Sequence, residues 1–226
     1  MIFLHGWGQN KETFNNITKN INNSTIYQLD LIGFGESHEP YKPFNLNNYC
    51  LFLEQFIKDL NIKNPILIGH SFGGRIAIKY ASRNKNIKKL ILINSAGIKQ
   101  KSIKRSLLVL KYKIKKKYYQ ITRNLIKYNQ ITNTSGSIDY INSTPIMKAT
   151  LSKIVNEDLK KDMRKIKTKT LLIWGKNDLV TPYKDAILMN KIIKNSKLIT
   201  LNTDHFSYLK KEKDVTNIIN TFIGSD

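Results

Sequence analysis

Short apolar runs alternate with longer amphipathic stretches along this chain. Six runs have the length and continuity of buried strands: Ile2–Leu4, Thr25–Leu29, Ile66–Ile68, Leu90–Ile93, Thr170–Trp174 and Leu198–Leu201. They are rich in Ile and Leu, the pattern of parallel strands covered on both faces. Between them, Asn47–Leu60, Gly74–Arg83, Pro182–Ile193 and Lys213–Phe222 read as helices. Thr181 before Pro182 reads as a cap followed by a first-turn proline. Strand alternating with helix predicts an α/β fold of about six mostly parallel strands with flanking helices and right-handed crossovers.

The alternation breaks between Gly97 and about Lys167. Ile103, Leu107, Leu110, Ile114, Tyr118, Ile121 and Leu125 recur at steps of four, three, four, four, three and four, which makes one apolar stripe on a helix, or on two in series. The polar run Asn129–Ser137 predicts a loop, and Thr144-Pro145 predicts another helix start. We therefore expect a core of residues 1–96 and 168–226 and a helical cap of residues 97–167. The stripe should face the sheet edge and roof whatever site lies there.

A length of 226 residues suits one domain, and 41% apolar residues can fill its core. No apolar run exceeds five residues, Tyr49 to Leu53, so no bilayer span is expected. Met1–Gly6 carries neither a basic flank nor a long apolar stretch, so no secretory signal is expected. Cys50 stands alone, which excludes an internal disulfide and a cysteine-based zinc site. The expected setting is the reducing cytoplasm.

Charge sharpens the picture in one place. Thirty-eight basic and 16 acidic residues give +22, a field that favours acidic partners. Yet 33 of the basic residues are Lys and there are 25 Asn. AT-rich coding produces that composition without selection for binding. No nucleic-acid-binding motif accompanies it, so no nucleic-acid partner is expected. The segment Lys99–Lys127, however, holds 11 basic residues and no acid. Lys104, Arg105, Lys111, Lys113, Lys115, Lys116 and Lys117 mostly fall off the apolar stripe. Such a basic amphipathic face suits an acidic carrier protein or an anionic membrane surface.

The candidate chemistry sits where strands end. His5, Asp30, Gly69-His70-Ser71, Asn94, Asp178 and His205 each lie at or just past a predicted carboxyl end. Parallel strands bring those ends to one edge, where ligands bind. Gly69-His70-Ser71-Phe72-Gly73 falls between a strand and a helix, the context in which a sharp turn pushes a serine hydroxyl into the open. The flanking glycines are needed because a Cβ on either would clash. Ser71 is thus the candidate nucleophile.

A nucleophilic serine needs a base, and the base needs an orienting carboxylate. Of the four histidines, His70 adjoins the serine and should point away from it, and His38 lies in a polar loop. His205, after the last strand, remains as the base. Asp178 follows the Thr170–Trp174 strand; Asp204 is the competitor, but a residue next to His205 seldom reaches its ring nitrogen in the right geometry. The backbone N–H groups of Trp7 and Phe72 are the candidate oxyanion donors. Asp30 reads as a turn anchor.

With these blocks in order, the chain resembles the α/β-hydrolase superfamily from Met1 to about Gly224. The matching segments are His5–Gly8, Asp30–Ser37, Gly69–Gly74, Trp174–Pro182 and Asp204–Leu209. It looks most like the small carboxylesterase branch that includes pimeloyl-acyl-carrier-protein methyl ester esterases. The resemblance implies an α/β-hydrolase fold, Ser71, His205 and Asp178 as a catalytic triad, and cleavage of a carboxylic ester or thioester in a small molecule or acyl chain. Carbon–carbon hydrolysis, lyase chemistry and non-catalytic binding use the same scaffold. No cofactor and no metal are implied. Family members usually carry two further strands before the first motif, so a sheet trimmed at that edge, or a misplaced start, is expected.

Overall fold

The three residues of β1 are buried on both faces: Ile2, Phe3 and Leu4 are all at or below 1% exposure. The computed structural model describes residues 1–21, 24–99, 103–134 and 137–225. Its strands are β1 (Ile2–Leu4), β2 (Tyr27–Leu29), β3 (Ile66–His70), β4 (Lys89–Ile93), β5 (Thr170–Gly175) and β6 (Ser196–Leu201). They form one sheet in the order β2-β1-β3-β4-β5-β6 with every pairing parallel.

The helices are α1 (Asn15–Thr18), α2 (Leu46–Asp59), α3 (Phe72–Ala81), α4 (Ile103–Ile121), α5 (Leu125–Thr134), α6 (Ile138–Ile141), α7 (Pro145–Asn156), α8 (Lys160–Met163), α9 (Tyr183–Ile192), α10 (Ser207–Lys210) and α11 (Glu212–Gly224). The pleat sends alternate side chains to two cores. Ile2, Leu4, Leu90, Leu92, Leu172 and Trp174 pack with α2, α3, α8 and α9. Phe3, Ile91, Ile93, Leu171 and Ile173 pack with α1, α10 and α11. Each fully buried Ile or Leu contributes about 1.5–3 kcal/mol.

The strand order positions the site. From β1 the chain moves one way to β2, and from β3 it moves the other way to β4. The connections leaving the adjacent strands β1 and β3 therefore diverge and open a crevice at the carboxyl edge. The His5–Gly8 loop and Ser71 flank that crevice.

Five helices, α4 to α8, fill the connection between β4 and β5. Their return to the core is pinned by polar groups of α3. The buried Arg75 guanidinium donates to the carbonyls of Ile154 (3.2 Å) and Glu157 (2.9 Å), satisfying the open end of α7. Burial lowers its pKa to about 10, which leaves it charged at neutral pH. Lys79 pairs with Glu157 (2.8 Å) and Asp162 (3.2 Å). The Thr144 side chain caps α7 through the Met147 N–H (3.2 Å), with Pro145 in the first turn.

Three expectations need correction. Helix α5 runs to Thr134, through part of the segment Asn129–Ser137 expected to be a loop; residues 135–136 lie outside the described set. The contact of α5 with α4 at Tyr128 and Lys116 favours continuing the helix through residues of low intrinsic propensity. The helix after Ser71 begins at Phe72, not Gly74, because its glycines are first-turn residues pressed against neighbouring backbone. The apolar stripe of α4 does not roof the sheet edge: Leu107, Leu110, Ile114, Tyr118 and Ile121 are exposed. The half-buried side is the opposite one, Tyr112, Lys116 and Tyr119. There the Lys116 Nζ sits 5.6 Å from the ring centroid of Tyr128 on α5, its stem covering apolar surface. The side chains of Ile103, Lys104 and Arg105 lie outside those described.

Candidate active site

Ser71 stands between β3 and α3 with φ 48° and ψ −108°, a backbone conformation that non-glycine residues rarely adopt and that stores strain. Backbone bonds hold it there: its N–H donates to the Ile93 carbonyl (3.2 Å), and its own carbonyl accepts from Ala96 N–H (3.0 Å). Gly69 and Gly73 make the turn feasible. A Cβ on Gly69 would lie 2.6 Å from the Gly73 oxygen, and one on Gly73 would collide with the Leu4 carbonyl. The Gly73 N–H instead donates to the His5 carbonyl at 3.0 Å, tying the elbow to the β1 loop.

The candidate oxyanion donors, the backbone N–H groups of Trp7 and Phe72, belong to those two segments. Among the described residues, neither the Trp7 nor the Phe72 N–H donates to a protein acceptor. The Trp7 and Phe72 rings meet edge-on at 5.3 Å, and both pack against Phe34, at 4.8 and 6.1 Å. The result is an aromatic wall beside the candidate oxyanion donors.

His205 and Asp178 come from the loops after β6 and β5. The His205 Nδ1 lies 2.8 Å from Asp178 Oδ2. That oxygen also accepts from Thr181 Oγ1 (2.6 Å) and Asn94 Nδ2 (2.7 Å), while Oδ1 accepts from the backbone N–H groups of Val180 and Thr181, both at 2.8 Å. Burial pulls the Asp178 pKa upward, but the hydrogen bonds from His205, Thr181 and Asn94 win and hold it at about 2. A carboxylate kept ionised in this way fixes the Nδ1–H tautomer of His205 and leaves Nε2 free to take a proton. Asp204 does not approach the ring: its carboxylate accepts from the Phe206 N–H (3.1 Å) and pairs with Lys210 (2.5 Å).

Two other histidines, His70 and His5, do structural work. His70 is fully buried; its Nε2–H donates to the His205 carbonyl (3.1 Å), and its ring lies 4.8 Å from that of His205. Burial first, and the neighbouring His205 second, lower its pKa to about 3, so it is neutral at physiological pH. His5 accepts from the Leu31 N–H (3.0 Å) and donates from Nδ1 to the Gly6 carbonyl (2.7 Å). Asp30 accepts from the Lys11 and Glu36 N–H groups (2.7 and 3.1 Å) and so anchors its turn.

Three residues of this constellation take roles that sequence reasoning does not assign them. Thr181, read as a helix cap, turns its hydroxyl to Asp178, and Pro182 occupies the cap position. Asn94, at φ 43°, bridges Asp178 to Ser207, whose hydroxyl donates to Asn94 Oδ1 at 2.5 Å. The one available signal for Asn94 was its place directly after β4. Among the described residues, no three metal-ligating side chains cluster closely enough to hold an ion, and no helix is long and apolar enough to cross a membrane.

A family model described as alpha/beta hydrolase fold matches residues 1–115. Over 254 aligned residues, covering 100% of this chain and 91% of the relative, the sequence is 25% identical to an AB hydrolase superfamily protein, YisY, of Bacillus subtilis. It is 28% identical to a pimeloyl-[acyl-carrier protein] methyl ester esterase of Wigglesworthia glossinidia brevipalpis, covering 99% of this chain and 93% of that protein. The fold superposes on an esterase of Exiguobacterium antarcticum with a TM-score of 0.75 at 23% identity, covering 99% and 91% of the two chains.

Proposed function

Since the chain belongs to the alpha/beta hydrolase fold family, we propose that it is a serine hydrolase that cleaves carboxylic esters through an acyl-enzyme on Ser71. The observation that carries this reading is the buried His205–Asp178 contact, formed at the same sheet edge as the strained Ser71 turn. Residues 97–167 act in it as a helical cap on the core of residues 1–96 and 168–226.

The reaction follows from the groups present. Ser71 Oγ attacks the ester carbonyl carbon while its proton passes to His205 Nε2. The imidazolium that forms is stabilised by the Asp178 carboxylate, which stays ionised. Negative charge develops on the carbonyl oxygen, and the Trp7 and Phe72 N–H groups supply donors for it. The carbon–oxygen bond to the alcohol then breaks, and the departing oxygen takes the proton from His205. Water repeats the sequence on the acyl-Ser71 ester and frees the acid.

The surroundings favour an apolar acyl or alcohol group. Trp7, Phe34 and Phe72 line one side, and Leu179 and Val180, next to Asp178, are exposed. Esters on acyl chains fit the similarity to a pimeloyl-[acyl-carrier protein] methyl ester esterase. Turnover of p-nitrophenyl esters of graded acyl length tests the proposal. Ser71→Ala and His205→Ala should each lower kcat by at least about 10³-fold; full activity in either variant would overturn it.

A further inference from the structure

We propose that the α4–α5 hairpin is a docking surface for an anionic lipid bilayer. At about 100° per residue, Leu107, Leu110, Ile114, Tyr118 and Ile121 fall in a sector about 80° wide. Lys111 and Lys115 border one side of it, and Lys113 and Lys117 border the other. The stripe continues onto Leu125 and Ile126 of α5, and these seven apolar side chains are between 54% and 83% exposed. The four bordering lysines are exposed as well.

Among the described residues, none covers this face. The side of α4 that meets α5 is the opposite one, carrying Tyr112, Lys116 and Tyr119. A continuous strip of large aliphatic groups with lysines on both flanks matches a helix lying in the headgroup plane. Its apolar side sinks to the acyl boundary, and its lysines extend to anionic headgroups. Charge points the same way, since Lys99–Lys127 holds 11 basic residues and no acid. A soluble acidic partner would satisfy the lysines and leave the seven apolar groups needing a matching groove. The same connection also reaches the site: on α6, Asp139 Oδ1 lies 3.9 Å from where a Cβ on Gly8 of the β1 loop would stand. On the ester-hydrolase reading, the consequence is that acyl chains would enter from the membrane side.

The test is co-sedimentation of the full chain with phosphatidylcholine vesicles, with and without about one-third phosphatidylglycerol. Binding is read without turnover, so its failure and a failure of the Ser71 assignment are separate results. The expected outcome is binding to the anionic vesicles, at least about tenfold weaker to neutral ones and at about 0.5 M salt. Changing Lys111, Lys113, Lys115 and Lys117 to Gln, or Ile114 and Tyr118 to Ser, should each weaken it about tenfold or more. Because these side chains are exposed, the circular dichroism spectrum and hydrolysis of a small soluble ester should not change. Absence of anionic-vesicle binding, or binding untouched by both sets of changes, would overturn the proposal. So would saturable binding of an acidic carrier protein, or dimerisation, that depends on this face while vesicles do not bind.

Discussion

His205 and Asp178 meet at 2.8 Å across 27 positions of chain, whereas Asp204, the immediate neighbour of His205, turns its carboxylate to Lys210. Topology accounts for the difference. β5 and β6 pair in parallel up to Gly175 opposite Leu201, so the loops leaving them rise side by side and interleave. The Asn177 N–H donates to the Thr203 carbonyl at 2.9 Å, which sets the two turns at a fixed height. Consecutive residues of one turn cannot aim their side chains at each other in that way.

Asp178→Asn should leave the fold intact and lower kcat for a small ester by roughly 10²–10⁴-fold, because the imidazole loses the acceptor that fixes its tautomer. Asp204→Asn should change kcat by no more than a few fold. Steady-state kinetics of the two variants decides the matter, and a more damaging Asp204→Asn would place the orienting acid elsewhere.

Thr181→Val keeps the shape of the side chain and removes its donor to Asp178. Loss of a hydrogen bond to a buried carboxylate should cost about 1.5–3 kcal/mol of stability. It should also let the Asp178 pKa rise from about 2 towards its ordinary value. A depressed carboxylate stabilises the fold above its unfolded pKa and loses that contribution as pH falls through its folded value. The acid limb of the variant's stability should therefore be shallower and end at higher pH, with its onset unchanged near the unfolded pKa, as measured by urea denaturation in acidic buffers.

His70 sets a second acid window. Its pKa falls from 6.5 to about 3 in the fold, so the stability it permits is complete above pH 6.5 and is lost as pH drops towards about 3. The loss from this group alone approaches about 1.4 kcal/mol per pH unit inside that window. His70→Gln, which can still donate to the His205 carbonyl, should flatten the stability profile there. An unchanged slope would assign the acid sensitivity to another group.

Arg75→Met should destabilise the chain by about 2–4 kcal/mol, since the carbonyls of Ile154 and Glu157 lose their donor. Proteolysis should then cut first among the helices between β4 and β5, whose return to α3 this guanidinium secures. Equal cutting throughout the chain would contradict that assignment.

Much of the architecture is legible in the residues, because buried parallel strands and strand-end chemistry leave local signatures. Gly69-His70-Ser71-Phe72-Gly73 is readable because steric demands fix both glycines. The pairing of His205 with Asp178 follows once the strands are ordered. What periodicity does not carry is direction: it groups Leu107, Ile114 and Tyr118 on one face without saying where that face points. That depends on which side of α4 the tyrosines and Lys116 lay against α5. Asn94, Thr181 and Ser207 are equally silent, since small polar residues serve caps, turns and surfaces as readily as they serve a carboxylate. The start of α3 is misread because paired glycines resemble a helix breaker, when here Gly73 is demanded by contact with the Leu4 and His5 backbone and Gly74 by contact with Ser95.

The central claim is that Ser71 is an activated nucleophile, and covalent labelling tests it most directly. A fluorophosphonate probe forms a stable ester only with a serine that has a base and oxyanion donors. Digestion and mass spectrometry should place the adduct on Ser71, with labelling abolished in Ser71→Ala and nearly abolished in His205→Ala. An adduct on another residue, or undiminished labelling in Ser71→Ala, would contradict the account.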